Sequence, residues 1–322
     1  MLTRKLGLKE IIRGSRKYLS MIRGKSLFSL HIEVTRKCNA RCRFCDYWKN
    51  KNEENRLDDY SQIVRRFQPL HITITGGEPL LRPDLDRIIS RIVTINSFVY
   101  VNCITNGILL NADRARKLWD AGLHQLSISL DFPDERHDVT RNVPGLWTHI
   151  RQLLSELPTA GLDNLCFNTV ITKENLNSVT EMVRLAYNNG WKISFSTYNP
   201  YKNRNFDYRL DKDTTGRLEE LVEELLVLKR KYRCITNSDF YLRKIPEYVK
   251  SGGISGCTAG IKWAHVSPDG RIRRCSEKEF LGHWTKYNPR ETPPTSCTEC
   301  WYACRGESEA PLGLKRILEL LL

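Results

Sequence analysis

No apolar run in this 322-residue sequence is long enough to span a bilayer, which excludes a transmembrane helix. The N-terminus is basic throughout and lacks the apolar stretch of a secretory signal, so the expected compartment is the cytoplasm. An RNA-binding signature and an aromatic-interleaved basic stripe are both missing, and nucleic acid is not an expected partner. Acidic residues are scarce relative to basic ones, 37 against 51, for a formal net charge of +14. Such an excess favours acidic partners, anionic lipid or phosphorylated substrates among them, and equally fits a solvated surface. Hydrophobic content of 40% and charged content of 27% describe a globular chain, long enough for one large domain and a small one.

Cysteine is not scarce. Eleven in a cytoplasmic chain argue for metal binding over disulfides. Three lie at Cys38, Cys42 and Cys45, five at Cys257, Cys275, Cys297, Cys300 and Cys304, and Cys103, Cys166 and Cys234 are scattered. The first group is a C-x3-C-x2-C run. Three thiolates within eight residues face one point only if the backbone wraps a soft centre: zinc, copper(I) or an iron–sulfur cluster. A zinc knuckle would borrow a distant fourth ligand. A cubane on three cysteines would leave one iron open.

Alternating β-branched runs and helical periods succeed one another along the chain. Strands are expected at 29–35, 71–75, 97–104, 126–130, 165–171 and 191–198. Helices are expected at 57–67, 83–92, 111–120, 146–157, 174–189, 214–230 and 240–250. Six such units without a dinucleotide-type glycine fingerprint predict an α/β fold built as a partial (β/α)6 TIM-like barrel. Chemistry then belongs at the C-terminal strand ends, where the cysteine run, Gly76-Gly77-Glu78-Pro79, Asn106 and Asp131 all fall.

C-x3-C-x-aromatic-C, with Phe44 as the aromatic residue, followed by the Gly-Gly-Glu-Pro segment, resembles the signature of the radical S-adenosylmethionine (SAM) superfamily. The resemblance implies a [4Fe-4S] cluster on Cys38, Cys42 and Cys45. It implies SAM chelated by the open iron and split by one electron into methionine and a 5′-deoxyadenosyl radical, which abstracts hydrogen from substrate. A reductant such as flavodoxin or ferredoxin is implied as partner. Gly76 and Gly77 are expected to admit the methionine end of SAM, with Glu78 supporting the turn. Ser129, Asp131 and Arg141 are expected as further contacts, and Asn106 and Asn168 more weakly. Downstream, C-x12-G-x4-C from Cys257 to Cys275, a Pro-Asp-Gly hairpin signal between them, and C-x2-C at Cys297 and Cys300 resemble the SPASM/twitch auxiliary-cluster region. Five cysteines, not seven, imply one auxiliary [4Fe-4S] cluster on Cys257, Cys275, Cys297 and Cys300. Cys304 is then spare or replaces one of the pair. A zinc site satisfies the same spacing.

The expected division is a basic amphipathic helix in 1–27, the barrel in 28–230, and the auxiliary module with a C-terminal helix in 231–322. The N-terminal helix carries eight Lys and Arg against one Glu over 4–25. It either packs its apolar face on the barrel or lies on a membrane surface. The helix at 312–322 is expected to dock on the body. Tyr198, Cys234 and Cys304 are candidate hydrogen donors. A small substrate such as a sugar, lipid or cofactor precursor leads. Peptide maturation is the alternative, because no leader-recruiting N-terminal domain is seen. A binding protein using zinc or a cluster structurally is the rival of another class.

Overall fold

A computed structural model describes residues 7–22, 27–50, 55–95, 98–313 and Arg316. The order is α1 (Leu8–Ile22), β1 (Ser29–Glu33), α2 (Ser61–Phe67), β2 (His71–Thr75), α3 (Leu85–Val93), β3 (Tyr100–Thr105), α4 (Ala112–Asp120), β4 (Gln125–Ser129), α5 (Arg136–Arg141), α6 (Leu146–Thr159), β5 (Leu165–Ile171), α7 (Val179–Asn188), β6 (Lys192–Thr197), α8 (Thr215–Tyr232), α9 (Asp239–Ser251), β7 (Trp263–Val266), β8 (Arg271–Arg273), β9 (Phe280–His283) and α10 (Ala303–Glu309). The first six strands pair in parallel and in sequence, as the alternation predicts. The expected C-terminal helix at 312–322 lies mostly outside the described residues.

Successive residues of a strand face opposite sides of the sheet, and here the two sides differ in chemistry. Leu30, Ile32, Ile72, Ile74, Val101, Ile128, Phe167, Ile193 and Phe195 are fully buried in the main apolar core, which includes residues of the surrounding helices. The other face presents His31, Glu33, Thr73, Asn102, Gln125, Asn168 and Ser196 to a cavity of about 540 Å³. Polar side chains therefore punctuate a lumen whose lining is otherwise largely apolar, and it stays open.

The hairpin of the second module does not stand apart. β7 joins the barrel sheet in parallel beside β1, from Ser29↔Trp263 to Ile32↔Val266. β8 and β9 continue it antiparallel, giving one sheet in the order β6-β5-β4-β3-β2-β1-β7-β8-β9. The sheet thus crosses the boundary expected at residue 230.

Helix α1 lies by the strands' N-terminal ends. Gly14 packs on the Phe98 ring, Lys17 donates to Phe98 O at 2.6 Å, and Tyr18 and Met21 are buried. Its large aliphatic residues Leu8, Ile12 and Leu19 point outward instead, so the inward face is not the one the apolar spacing suggests. Two further differences have local causes. Asn175 donates its amide to Asp131 O and Val170 O, and this fixes 172–178 as turns and delays α7 from 174 to Val179. Helix α5 was not expected, because RHDVTR is short and polar; Asp138 at its centre accepts from Gly145 N and Trp147 N.

Candidate functional site

The cysteine loop leaves β1 and is clamped by the turn after β2. Gly77 N donates to Thr35 O and Glu78 N to Lys37 O, both at 2.8 Å. A Cβ on Gly76 or Gly77 would stand 2.1 Å from Thr35 O or Lys37 O. Both glycines are thus required by the approach of two backbones, and Gly76 also has φ +147°. Glu78 is 1% exposed and accepts from Leu80 N, Thr105 Oγ1 and Asn106 N. Burial raises its pKa against the pull of these bonds. It ties the β2 turn to the end of β3. Asn106 in turn donates to Asn39 Oδ1 at 2.8 Å and toward Cys38 Sγ at 3.9 Å.

Asp131 and Arg141 form a buried pair after β4. Two guanidinium nitrogens reach one carboxylate oxygen at 2.7 and 2.8 Å, and a third lies 3.8 Å from Cys42 Sγ. The guanidinium also sits over Phe44, 5.1 Å from the ring centre. Burial opposes its charge, but Asp131 and Cys42 more than restore it. Arg141 is therefore committed to Asp131 and the cysteine loop. Ser129 is buried at the end of β4 beside Asn168; Asn168 lines the lumen.

Cys42, Ala40, Phe44, Tyr198 and Tyr208 make a small buried cluster, with Cys38 and Cys45 packed against it. Burial, with Cys42, Glu78 and Cys45 nearby, raises the Cys38 thiol to about 11. Burial likewise raises Cys42, although Arg141 opposes the shift. Thiols in such surroundings stay protonated unless a metal claims them. The all-sulfur set, with N–H donors turned toward two of its members, fits a thiolate-bound cluster.

The second group gathers at the hairpin's open end. Cys257, Ala259, Trp263 and Cys275 are buried together, with Cys304 against them. Cys300 lies within electrostatic reach of Cys275 and Cys257, and Cys304 within reach of Cys300, Cys275 and Cys257. Cys297 is felt at Cys257. Burial raises Cys275 to about 11 and pushes Cys300 and Cys304 upward. Arg305, fully buried, holds this loop by donating to Cys300 O, Ile254 O and Ser255 O. Among the described residues, no three His, Cys, Asp or Glu are drawn tightly around one point, in this group or around Cys38, Cys42 and Cys45.

The lumen runs between the two groups, with Cys45 and Cys304 both on its wall. Of the candidate hydrogen donors, Cys304 alone lines this cavity. Tyr198 donates to Asn203 Oδ1 and Asn205 O. Cys234 is buried near Val183 O, beside Lys192 at the opposite end of β6 from the cysteine loop. Sequence reasoning passed over Glu33, Tyr47, Glu277 and Tyr302, which stand between the groups. Tyr47 donates to Glu33 Oε1 at 2.5 Å and Tyr302 to Glu277 Oε1 at 3.0 Å. Only the strand-end position of Glu33 signalled a role.

The Radical SAM superfamily model matches residues 32–186. GTP 3',8-cyclase of Staphylococcus aureus is 28% identical over 281 residues, which cover 80% of this chain and 79% of the relative. Among solved structures, Streptococcus suis SuiB bound to precursor peptide SuiA superposes with a TM-score of 0.65 at 18% identity, over 89% of this chain and 70% of that one. Native anSMEcpe with bound AdoMet gives 0.61 at 20% identity, over 80% and 78%. At these identities the structural likeness concerns the fold.

Proposed function

The chain belongs to the radical SAM superfamily, enzymes that use SAM and a [4Fe-4S] cluster, and we propose that Cys38, Cys42 and Cys45 hold that cluster here and that the lumen receives a small substrate. When bound, the cluster and SAM supply a 5′-deoxyadenosyl radical that takes a hydrogen atom from the substrate. The chain's own residues do the rest. Gly76, Gly77 and Glu78 fix the cysteine loop against β2. Asn106 and Arg141 turn N–H donors toward Cys38 and Cys42, which favours their thiolate forms. Phe44, Tyr198 and Tyr208 cover the loop and keep water from it. Ser129 at the end of β4, Asp131 just beyond it and Asn168 beside Ser129 in β5 lie where SAM would extend.

One observation carries the small-substrate reading: the cavity between the two cysteine groups, with Cys45 and Cys304 on its wall and polar side chains set among apolar ones. A cavity of this size suits a metabolite, or the head of an amphiphile, better than a folded partner. Cys257, Cys275, Cys300 and Cys304 are taken as the ligands of one auxiliary cluster, with Cys304 in place of Cys297. A reductant of the flavodoxin or ferredoxin kind would deliver the electron in the cytoplasm. The outward Leu8, Ile12 and Leu19 of α1, flanked by exposed Lys9, Arg13 and Arg16, suit peripheral contact with an anionic membrane.

Anaerobically reconstituted protein should contain about eight irons per chain and release 5′-deoxyadenosine from SAM under dithionite. Cys38→Ala should abolish that release. Cys304→Ser should lose about half of the iron and Cys297→Ser almost none. A colourless, zinc-loaded protein would overturn the reading. Iron loss in Cys297→Ser but not in Cys304→Ser would overturn the ligand assignment.

A further inference from the structure

The walls of the lumen carry an uneven charge. Among the described residues lining it are the carboxylates of Glu10, Glu33, Glu277 and Glu307 and the guanidinium of Arg316, which pairs with Glu307 at 2.5 Å. His31 and His71 also face it, and burial keeps both imidazoles neutral near pH 7. This is unexpected in a chain of net charge +14: among the described residues, the Lys and Arg other than Arg316 lie outside the cavity.

Two of these carboxylates are incompletely hydrogen-bonded, but only at Glu33 is the free oxygen buried. Glu33 is 2% exposed. Its Oε1 accepts from Tyr47, while its Oε2 is buried without a hydrogen bond. The guanidinium of Arg36 stands 3.5 Å from Oε2, at ion-pair distance, on a side chain one-third exposed. Glu277 accepts from Ser276 and Tyr302 on Oε1, and Oε2 has no hydrogen-bond partner among the described residues. Both carboxylates line the same cavity. A buried carboxylate oxygen without a donor is costly unless a donor arrives with a ligand.

We propose that the lumen binds a substrate bearing a cationic nitrogen, an amine or guanidine, which pairs with the carboxylate of Glu33 and faces Glu277, and that it refuses polyphosphates. The proposal rests on the lumen being the substrate chamber. A guanidinium or ammonium supplies N–H donors and the opposite charge in one group. A nucleoside triphosphate brings several negative charges and needs Lys, Arg or open backbone N–H groups to receive them. The described wall offers Arg316 alone, already engaged by Glu307. In this respect the cavity does not suit the substrate named for the GTP 3',8-cyclase relatives.

The test is equilibrium dialysis of the anaerobically reconstituted protein, with SAM present, against agmatine and separately against GTP. Agmatine should bind saturably at about one per chain. Glu33→Gln and Glu277→Gln, each with its iron content verified, should weaken it by about tenfold or more. GTP should show no saturable binding where agmatine saturates. Saturable GTP binding, absence of agmatine binding, or unchanged agmatine affinity in an iron-loaded Glu33→Gln or Glu277→Gln variant would overturn the proposal. Wild-type release of 5′-deoxyadenosine in the same samples separates the causes. Cleavage of SAM without agmatine binding removes the cation subsite alone, whereas failure to cleave SAM removes the reading beneath it.

Discussion

A methyl group at residue 77 has nowhere to go, because the carbonyl of Lys37 already occupies its place. Gly77→Ala should therefore push the cysteine loop off the β2 turn while leaving the second cysteine group, at the hairpin's open end, in place. The expected result is loss of about half of the bound iron and of SAM cleavage, with the remaining iron still in a [4Fe-4S] spectrum. Retention of all the iron would mean the loop tolerates displacement. The cysteines and this glycine pair were legible in the sequence because spacing alone constrains them. Glu33, Glu277 and Arg305 were not, because each acts through contacts with residues remote in sequence. The two glycines also have a structural reason that the sequence did not suggest. Freedom from Cβ was expected to serve the cofactor, and the structure shows it is needed first by the neighbouring backbone.

Among the elements, the junction between the β2 turn and α3 is held chiefly by the pair of Arg82 and Asp84. Arg82 is wholly buried and donates to Val34 O and Leu57 O, while two of its nitrogens reach Asp84 at 2.8 Å. Its removal by Arg82→Met should destabilise the fold by about 3 kcal/mol or more, since two carbonyls and a carboxylate lose their donor. The hydrogen bond from Arg82 is the main cause that lowers the Asp84 carboxyl to about 2, with burial opposing it. The folded-state pKa lies below the unfolded value. The pair's contribution is therefore complete above about pH 4 and lost as pH falls toward 2. Urea unfolding across that window should show a smaller loss for Asp84→Asn than for wild type; equal slopes would refute the assignment. Strands were read well from alternation, with β2 and β5 at their expected limits. Helix limits were read less well wherever side-chain bonds, such as those of Asn175, compete with the helix for the backbone.

For the molecule as a whole, the charge distribution separates two surfaces. The exterior is basic, whereas the described lumen wall is acidic. The outward face of α1 combines aliphatic and basic residues, and co-sedimentation with vesicles containing anionic lipid should reveal it. Binding should vanish in a Leu8→Gln, Ile12→Gln, Leu19→Gln triple variant and with purely neutral vesicles. Equal sedimentation of the triple variant would show that charge alone attracts the protein.

The pairing of β7 with β1 has one more consequence. Because the hairpin is stitched to the first strand by backbone hydrogen bonds, a chain cut after residue 230 would not yield a self-sufficient barrel. It would expose the bare rim of Ser29–Ile32, an invitation to aggregation. Any segment put in place of the downstream one would therefore have to bring its own strand to cover the edge from which the cysteine loop departs.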